Sequence, residues 1–89
     1  MTVRIETSAE DSKTTVTVVG RLANAGAREL LRVCHSIEGE LVLDLTAVRS
    51  ADPEGIEAIH ELVRGGAKLH GVSPFLRLLL EDAKLTDAG

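Results

Sequence analysis

An α/β fold built on a four-stranded mixed sheet is the architecture this chain predicts, and three observations lead to it. Val3 and Ile5 alternate with Arg4 and Glu6, and Val16 and Val18 alternate with Thr15 and Thr17, the period-two pattern of half-buried strands. Ile56, Ile59, Leu62 and Val63 recur at helical spacing. From the second strand onward, strand-like and helix-like segments alternate, which requires crossover connections and a mostly parallel sheet with one antiparallel strand.

Taken in order, Thr7 to Lys13 is polar and charged and reads as the turn of an antiparallel hairpin. Asn24 stands where an N-cap belongs, ahead of Ala27, Leu30, Leu31 and Cys34 at three- and four-residue spacing, so residues 25–36 predict an amphipathic helix. Leu41-Val42-Leu43 with Leu45 is a nearly continuous apolar run, the pattern of a central strand covered on both faces. Pro53 has the fixed φ suited to a first helical turn, and a second helix runs from it to a C-cap at Gly65-Gly66. Ala67 to His70 is a brief strand closed by Gly71. Ser73, as N-cap, and Pro74 then start a third helix in which Leu76, Leu79, Leu80 and Ala83 share a face. The order is β-β-α-β-α-β-α, and 89 residues leave room for one core, so residues 1–89 are expected to form a single domain.

Composition narrows the function classes. The chain is 44% hydrophobic but holds one Phe, no Trp and no Tyr, which argues against aromatic platforms for stacking single-stranded nucleic acid. A net charge of −4 gives no basic footprint, so no nucleic-acid partner is expected. Cys34 is the lone cysteine and forms no internal disulfide, which fits a reducing compartment. The first residues lack a signal-peptide pattern and no segment approaches the ~18 continuous apolar residues of a span, so a cytoplasmic location without direct membrane insertion is expected.

The chain shows no Gly-x-Ser-x-Gly elbow, phosphate loop or dinucleotide fingerprint, so neither an enzyme nor a cofactor is expected. His35, His60 and His70 fall on different elements, and Asp44, Asp52 and Glu54 have no metal-ligand spacing, so no metal site is expected either. Cys34 and His35 are adjacent and diverge by about 100° on a helix, which makes Cys34 a small core residue and not a nucleophile beside its base.

Several stretches together resemble the STAS domains, named for sulfate transporters and anti-sigma-factor antagonists. They are Val19-Gly20-Arg21-Leu22 with Asn24, Leu41-Val42-Leu43-Asp44-Leu45 with Thr46-Ala47-Val48, and the Asp52-x-x-Gly55 turn. Gly65-Gly66-Ala67-Lys68-Leu69 and Gly71-Val72-Ser73-Pro74 complete the set. The resemblance implies helices packed mainly on one face of the sheet, with Asp44 shaping the turn beneath the second helix. It implies a non-catalytic bacterial signalling module that regulates transcription, an anti-sigma factor antagonist whose partner is an anti-sigma factor of the serine-kinase type. The alternative it carries is a subunit of a lipid or solute ABC transport complex, bound to the transporter ATPase.

The family's most specific motif is Asp-Ser-Ser-Gly, whose second serine is phosphorylated in the regulatory members; here the four positions read Asp52-Pro53-Glu54-Gly55. The resemblance therefore implies that the usual switch does not operate at position 54. A helix N-terminus favours negative charge, so Glu54 is expected to act as a first-turn acid or as a partial phosphomimic with one charge in place of nearly two. Glu57 and Glu61 follow three and seven positions later and project from the same helix side as Glu54, opposite Ile59 and Val63. Like charges there repel, which fits either a solvated face or an acidic dock for a basic partner. The expected partner surface is thus Asp52, Pro53, Glu54, Gly55, Glu57, Glu61 and Arg64, with Thr46 and Ser50 as the nearest alternative phosphorylation sites. Phe75 is the single aromatic available as an anchor, so binding is expected to be charge-guided and salt-sensitive.

Overall fold

The computed structural model describes residues 3–88, with side chains described through residue 81. Strand β1 (Arg4–Glu10) pairs antiparallel with β2 (Lys13–Leu22), and helix α1 (Ala25–His35) leads to β3 (Glu40–Ala51), parallel to β2. Helix α2 (Pro53–Arg64) leads to β4 (Lys68–His70), parallel to β3, and α3 (Pro74–Ala88) follows. The strands lie in the order β1-β2-β3-β4, so the predicted class and mixed sheet hold.

One face of the sheet carries the core. Val16, Val18, Leu43 and Leu45 are fully buried there, packed with Leu30 and Cys34 of α1, Ile56, Ile59 and Leu62 of α2, and Leu76 and Leu80 of α3. Each such aliphatic side chain contributes roughly 1.5–3 kcal/mol of burial. On the opposite face Thr15, Thr17, Val42 and Asp44 are only half-buried, so all three helices sit on one side.

That one-sided packing corrects the reading of Leu41–Leu45 as a strand covered on both faces: Leu41 and Val42 are half-buried, and the strand runs on to Ala51. Its register against β2 shifts between Thr17 and Val19 and again between Gly20 and Arg21, with an extra β3 residue each time. The inward set consequently changes from Leu43 and Leu45 to Val48, which breaks the period-two pattern. The hairpin differs as well. Its turn is only Asp11-Ser12, because Thr7 pairs with Val16 and Glu10 with Lys13. An edge strand with open sides accommodates polar residues, and Asp11 takes the left-handed conformation at φ 57 that the tight turn needs.

Among the helices, α1 ends one residue earlier than expected, and Asn24 precedes it without a side-chain cap bond. Val63 is 41% exposed; the buried stripe of α2 is Ile56, Ala58, Ile59 and Leu62. The C-cap at Gly65-Gly66 forms as expected, Gly66 taking φ 109 and its N–H bonding the Val63 carbonyl at 3.0 Å. Ser73 caps α3, its Oγ accepting from Leu76 N at 3.1 Å, while the side chain of Ala83 lies outside the described residues. Cys34 is buried, which pushes its thiol up to about 11 and keeps it unreactive. No helix among the described residues is long and apolar enough to cross a membrane.

Candidate functional site

The turn into α2 is built from its backbone outward. Asp52 is the N-cap: its Oδ1 accepts from Gly55 N at 2.8 Å, and Pro53 fills the first helical position where a missing N–H costs nothing. Asp52 Oδ2 accepts from Asn24 N at 3.3 Å, and Asp52 N donates to the Leu22 carbonyl at 3.1 Å. One aspartate thereby ties the ends of β2 and β3 to the starts of α1 and α2. Gly55 is buried, and a Cβ there would collide with the Leu22 carbonyl oxygen. The two positions that match the STAS motif are therefore structural, one a cap and the other a point of close approach.

The outward half of the turn is different. Glu54 is exposed and faces α1: Arg28 Nη1 lies 3.5 Å from its Oε2. With its amide nitrogen turned toward the carboxylates, Asn24 donates to Glu54 Oε1 at 2.9 Å and to Asp52 Oδ2 at 3.3 Å. Farther along, His35 Nε2 lies 3.4 Å from Glu61 Oε2, an ion pair when the imidazole is protonated. Glu57 and Arg64 are exposed and form no ion pair among the described residues.

Two of the three carboxylates on the expected acidic face thus have a basic residue beside them, and α1 meets α2 along a mixed seam. Each exposed pair contributes about 0–1 kcal/mol and acts against repulsion between the glutamates. Sequence reasoning passed over Arg28 and His35 as members of this site. The signal was present in their spacing, since Arg28 and His35 are seven apart and share a helix side, as do Glu54 and Glu61.

The proposed alternative phosphorylation sites separate. Ser50 lies two residues before Asp52 in β3, half-buried and in register with Arg21. Thr46 lies farther from the turn: five strand residues separate it from Asp52, a span of up to roughly 20 Å if fully extended. Its Oγ1 donates to Asp44 Oδ1 at 2.6 Å and its N–H to the same oxygen at 3.0 Å. These bonds hold the Asp44 carboxyl below the ordinary carboxylate range. Asp44 therefore fastens the first irregularity of β3, on the sheet face away from the helices, and does not shape the turn into α2 that the resemblance assigned to it.

The histidines remain on separate elements, and His60 is structural: its Nε2 lies 2.9 Å from the Leu80 carbonyl, joining α2 to α3. No group of three His, Cys, Asp or Glu among the described residues is placed to hold a metal ion. An open cleft of about 600 Å³ lies beside the start of α1, lined by Val3, Arg21, Asn24, Gly26 and Glu29 among others.

No family model and no curated protein matches this sequence. Solved structures do. The anti-sigma factor antagonist SpoIIAA in its unphosphorylated form matches with a TM-score of 0.66 at 12% identity, over 88% of this chain and 82% of that one. An antisigma-factor antagonist STAS domain from Rhodobacter sphaeroides matches at 0.62 and 16% identity, over 78% of this chain and 86% of that one. The murine anion transporter Slc26a9 matches at 0.63 and 18% identity over 84% of this chain, which spans only 14% of the transporter. The chain likewise spans 19% of the protein Mglu, matched at 0.66 and 22% identity over 78% of this chain. With a mixed β1-β2-β3-β4 sheet, three helices on one face and these structural likenesses, the chain has the STAS-like fold of SpoIIAA.

Proposed function

We propose that this chain is a non-catalytic protein-interaction module of the anti-sigma-factor-antagonist type, a single domain over residues 1–89 that works in the cytoplasm and is not switched by phosphorylation at position 54. The observation that carries the reading is the Glu54 carboxylate in the first turn of α2, beside Arg28 and Asn24, within a fold shared with SpoIIAA. A first-turn carboxylate interacts favourably with the free N–H groups and dipole of the helix, as a phosphate does. It offers no hydroxyl to a kinase. The partner is an anti-sigma factor of the serine-kinase type, and it meets Glu54, Glu57, Glu61 and Arg64 around a turn that Asp52 and Gly55 hold in shape.

The test is incubation with the cognate kinase and ATP, followed by intact-mass and peptide analysis, alongside a binding titration with the same kinase. Binding without a mass increase is the expected result. Phosphate on Ser50 or Thr46 would show a regulated module, and absence of binding would remove the anti-sigma partner.

The likeness to a segment of the anion transporter Slc26a9 supports a second reading in which the chain serves a transporter; we infer for that case a small STAS subunit of a lipid or solute transport complex bound to its ATPase. Affinity purification separates the two: recovery of an ATPase with a permease would replace the first reading with the second.

A further inference from the structure

The sheet ends on two unlike edges. β4 is three residues long and carries Lys68, a short charged edge of the kind that resists further pairing. β1 runs for seven residues without proline or lysine, and nothing among the described residues pairs with its outer side. Ile5 is in register with buried Val18, and Thr7 with buried Val16, so Ile5, Thr7 and Ala9 lie toward the helices. None of these is a charge that would guard the edge. Arg4, Glu6, Ser8 and Glu10 alternate with them on the bare side of the sheet.

That order is complementary to itself. When β1 of a second copy is laid antiparallel about a two-fold axis through Thr7, each Arg4 stands opposite Glu10 of the other copy. Glu6 then meets Ser8, and Ile5 meets Ala9 on the helix side. The adjacent registers that keep both helix layers on one side set Glu6 against Glu6, or Glu6 against Glu10. Like charges directly opposite are destabilising and unlike charges stabilising, so one register is selected, and it is the one that pairs the whole strand.

We propose that β1 is a homodimerisation edge, through which two copies of this chain join antiparallel about Thr7 into one continuous sheet. This surface lies on a different element from the α1–α2 seam and does not depend on the function proposed above.

Sedimentation equilibrium on the full chain tests it, with a concentration-dependent monomer–dimer equilibrium as the expected result. Arg4→Glu makes two attractive pairs repulsive and should raise the dissociation constant by about tenfold or more. Glu10→Arg should do the same, and the double variant Arg4→Glu/Glu10→Arg should restore dimerisation, which damage to the fold would not. Thr7→Cys should form a disulfide-linked dimer under mild oxidation, because equivalent positions face one another across the axis and Cys34 is buried. A monomer at every concentration, a dimer indifferent to charge reversal, or an edge that pairs only with a different protein would each overturn the proposal.

Discussion

Asp44 lies within β3 and Asp52 just past its end, and each accepts a backbone N–H a few residues downstream, Asp44 from Thr46 at 3.0 Å and Asp52 from Gly55 at 2.8 Å. At Asp44 the bond closes inside the strand, next to its first register shift, and the remaining partner is a neighbouring hydroxyl. At Asp52 the bond starts a helix, while the second carboxylate oxygen reaches the Asn24 backbone 28 residues away and Gly55 lies against Leu22. The same local chemistry is thus isolated in one place and wired into the tertiary structure in the other. A side chain whose bonds hold separate elements together resists change; one whose bonds stay within its own strand does not.

The largest expected effect breaks the wired end. Gly55→Val places a Cβ into the Leu22 carbonyl oxygen, a backbone atom that moves only with β2, so α2 must lift. A loss of about 3 kcal/mol or more is expected in urea denaturation. Gly65→Ala is the control, since the nearest atoms lie 3.5 Å from its added Cβ and φ is −82. It should leave stability unchanged or raise it by up to about 1 kcal/mol.

Next in size is Asp52→Ala, which removes the cap and the tie to Asn24 and should cost about 1–2 kcal/mol. Asp52→Asn keeps an acceptor and should recover most of that. A cost no greater than that of an ordinary surface substitution would show that Asp52 does not join the two helix starts.

The unequal legibility of the two aspartates has a physical basis. At Asp52 the following Pro53 and the helical recurrence of Ile56, Ile59 and Leu62 mark a helix start, and Glu54 at the acceptor position was visible from the Asp52-x-x-Gly55 frame. Asp44 lies in a run whose apolar content suggested cover on both sides. A bulge turns side chains to the other face without any compositional mark, so neither the length of β3 nor the inward turn of Val48 was readable. The first half of β1 was readable from Val3 and Ile5, but its polar second half, Thr7 to Glu10, reads as turn for the related reason that an edge strand needs little apolar surface. The basic residues opposite Glu54 and Glu61 had the right spacing, but pairing them required knowing that α1 and α2 lie side by side.

Asp44 supplies the pH-dependent contrast. Thr46 holds its carboxyl below the ordinary range, so its folded value is lower than its unfolded value near 3.9. The stability it adds is present above the unfolded value and is lost as pH falls through the folded one. Asp44→Asn should therefore cost under about 1 kcal/mol near neutral pH, the side chain being open to water, and the gap to wild type should close under acid conditions. Urea midpoints compared at about pH 7 and about pH 2 test this. An equal gap at both would mean that the charge on Asp44 contributes nothing.

The smallest stability effect belongs to the pair on which the functional reading rests. Arg28 and Glu54 are exposed, so a double-mutant cycle through Arg28→Ala and Glu54→Gln should give a coupling of about 0.2–1 kcal/mol that fades in high salt. Partner affinity need not follow that scale. Arg28→Ala frees the Glu54 carboxylate from its nearest cation while leaving Asp52, Gly55 and the helix start intact, so a partner that reads position 54 meets a changed charge on an unchanged scaffold. A severalfold shift in affinity from Arg28→Ala, abolished when Glu54→Gln is added, would locate recognition at Glu54. Unchanged affinity in all three variants would leave Glu54 as a first-turn acid that stabilises α2 and nothing more, and would move the partner surface toward Glu57 and Arg64, the exposed charged members of the expected surface that form no ion pair among the described residues.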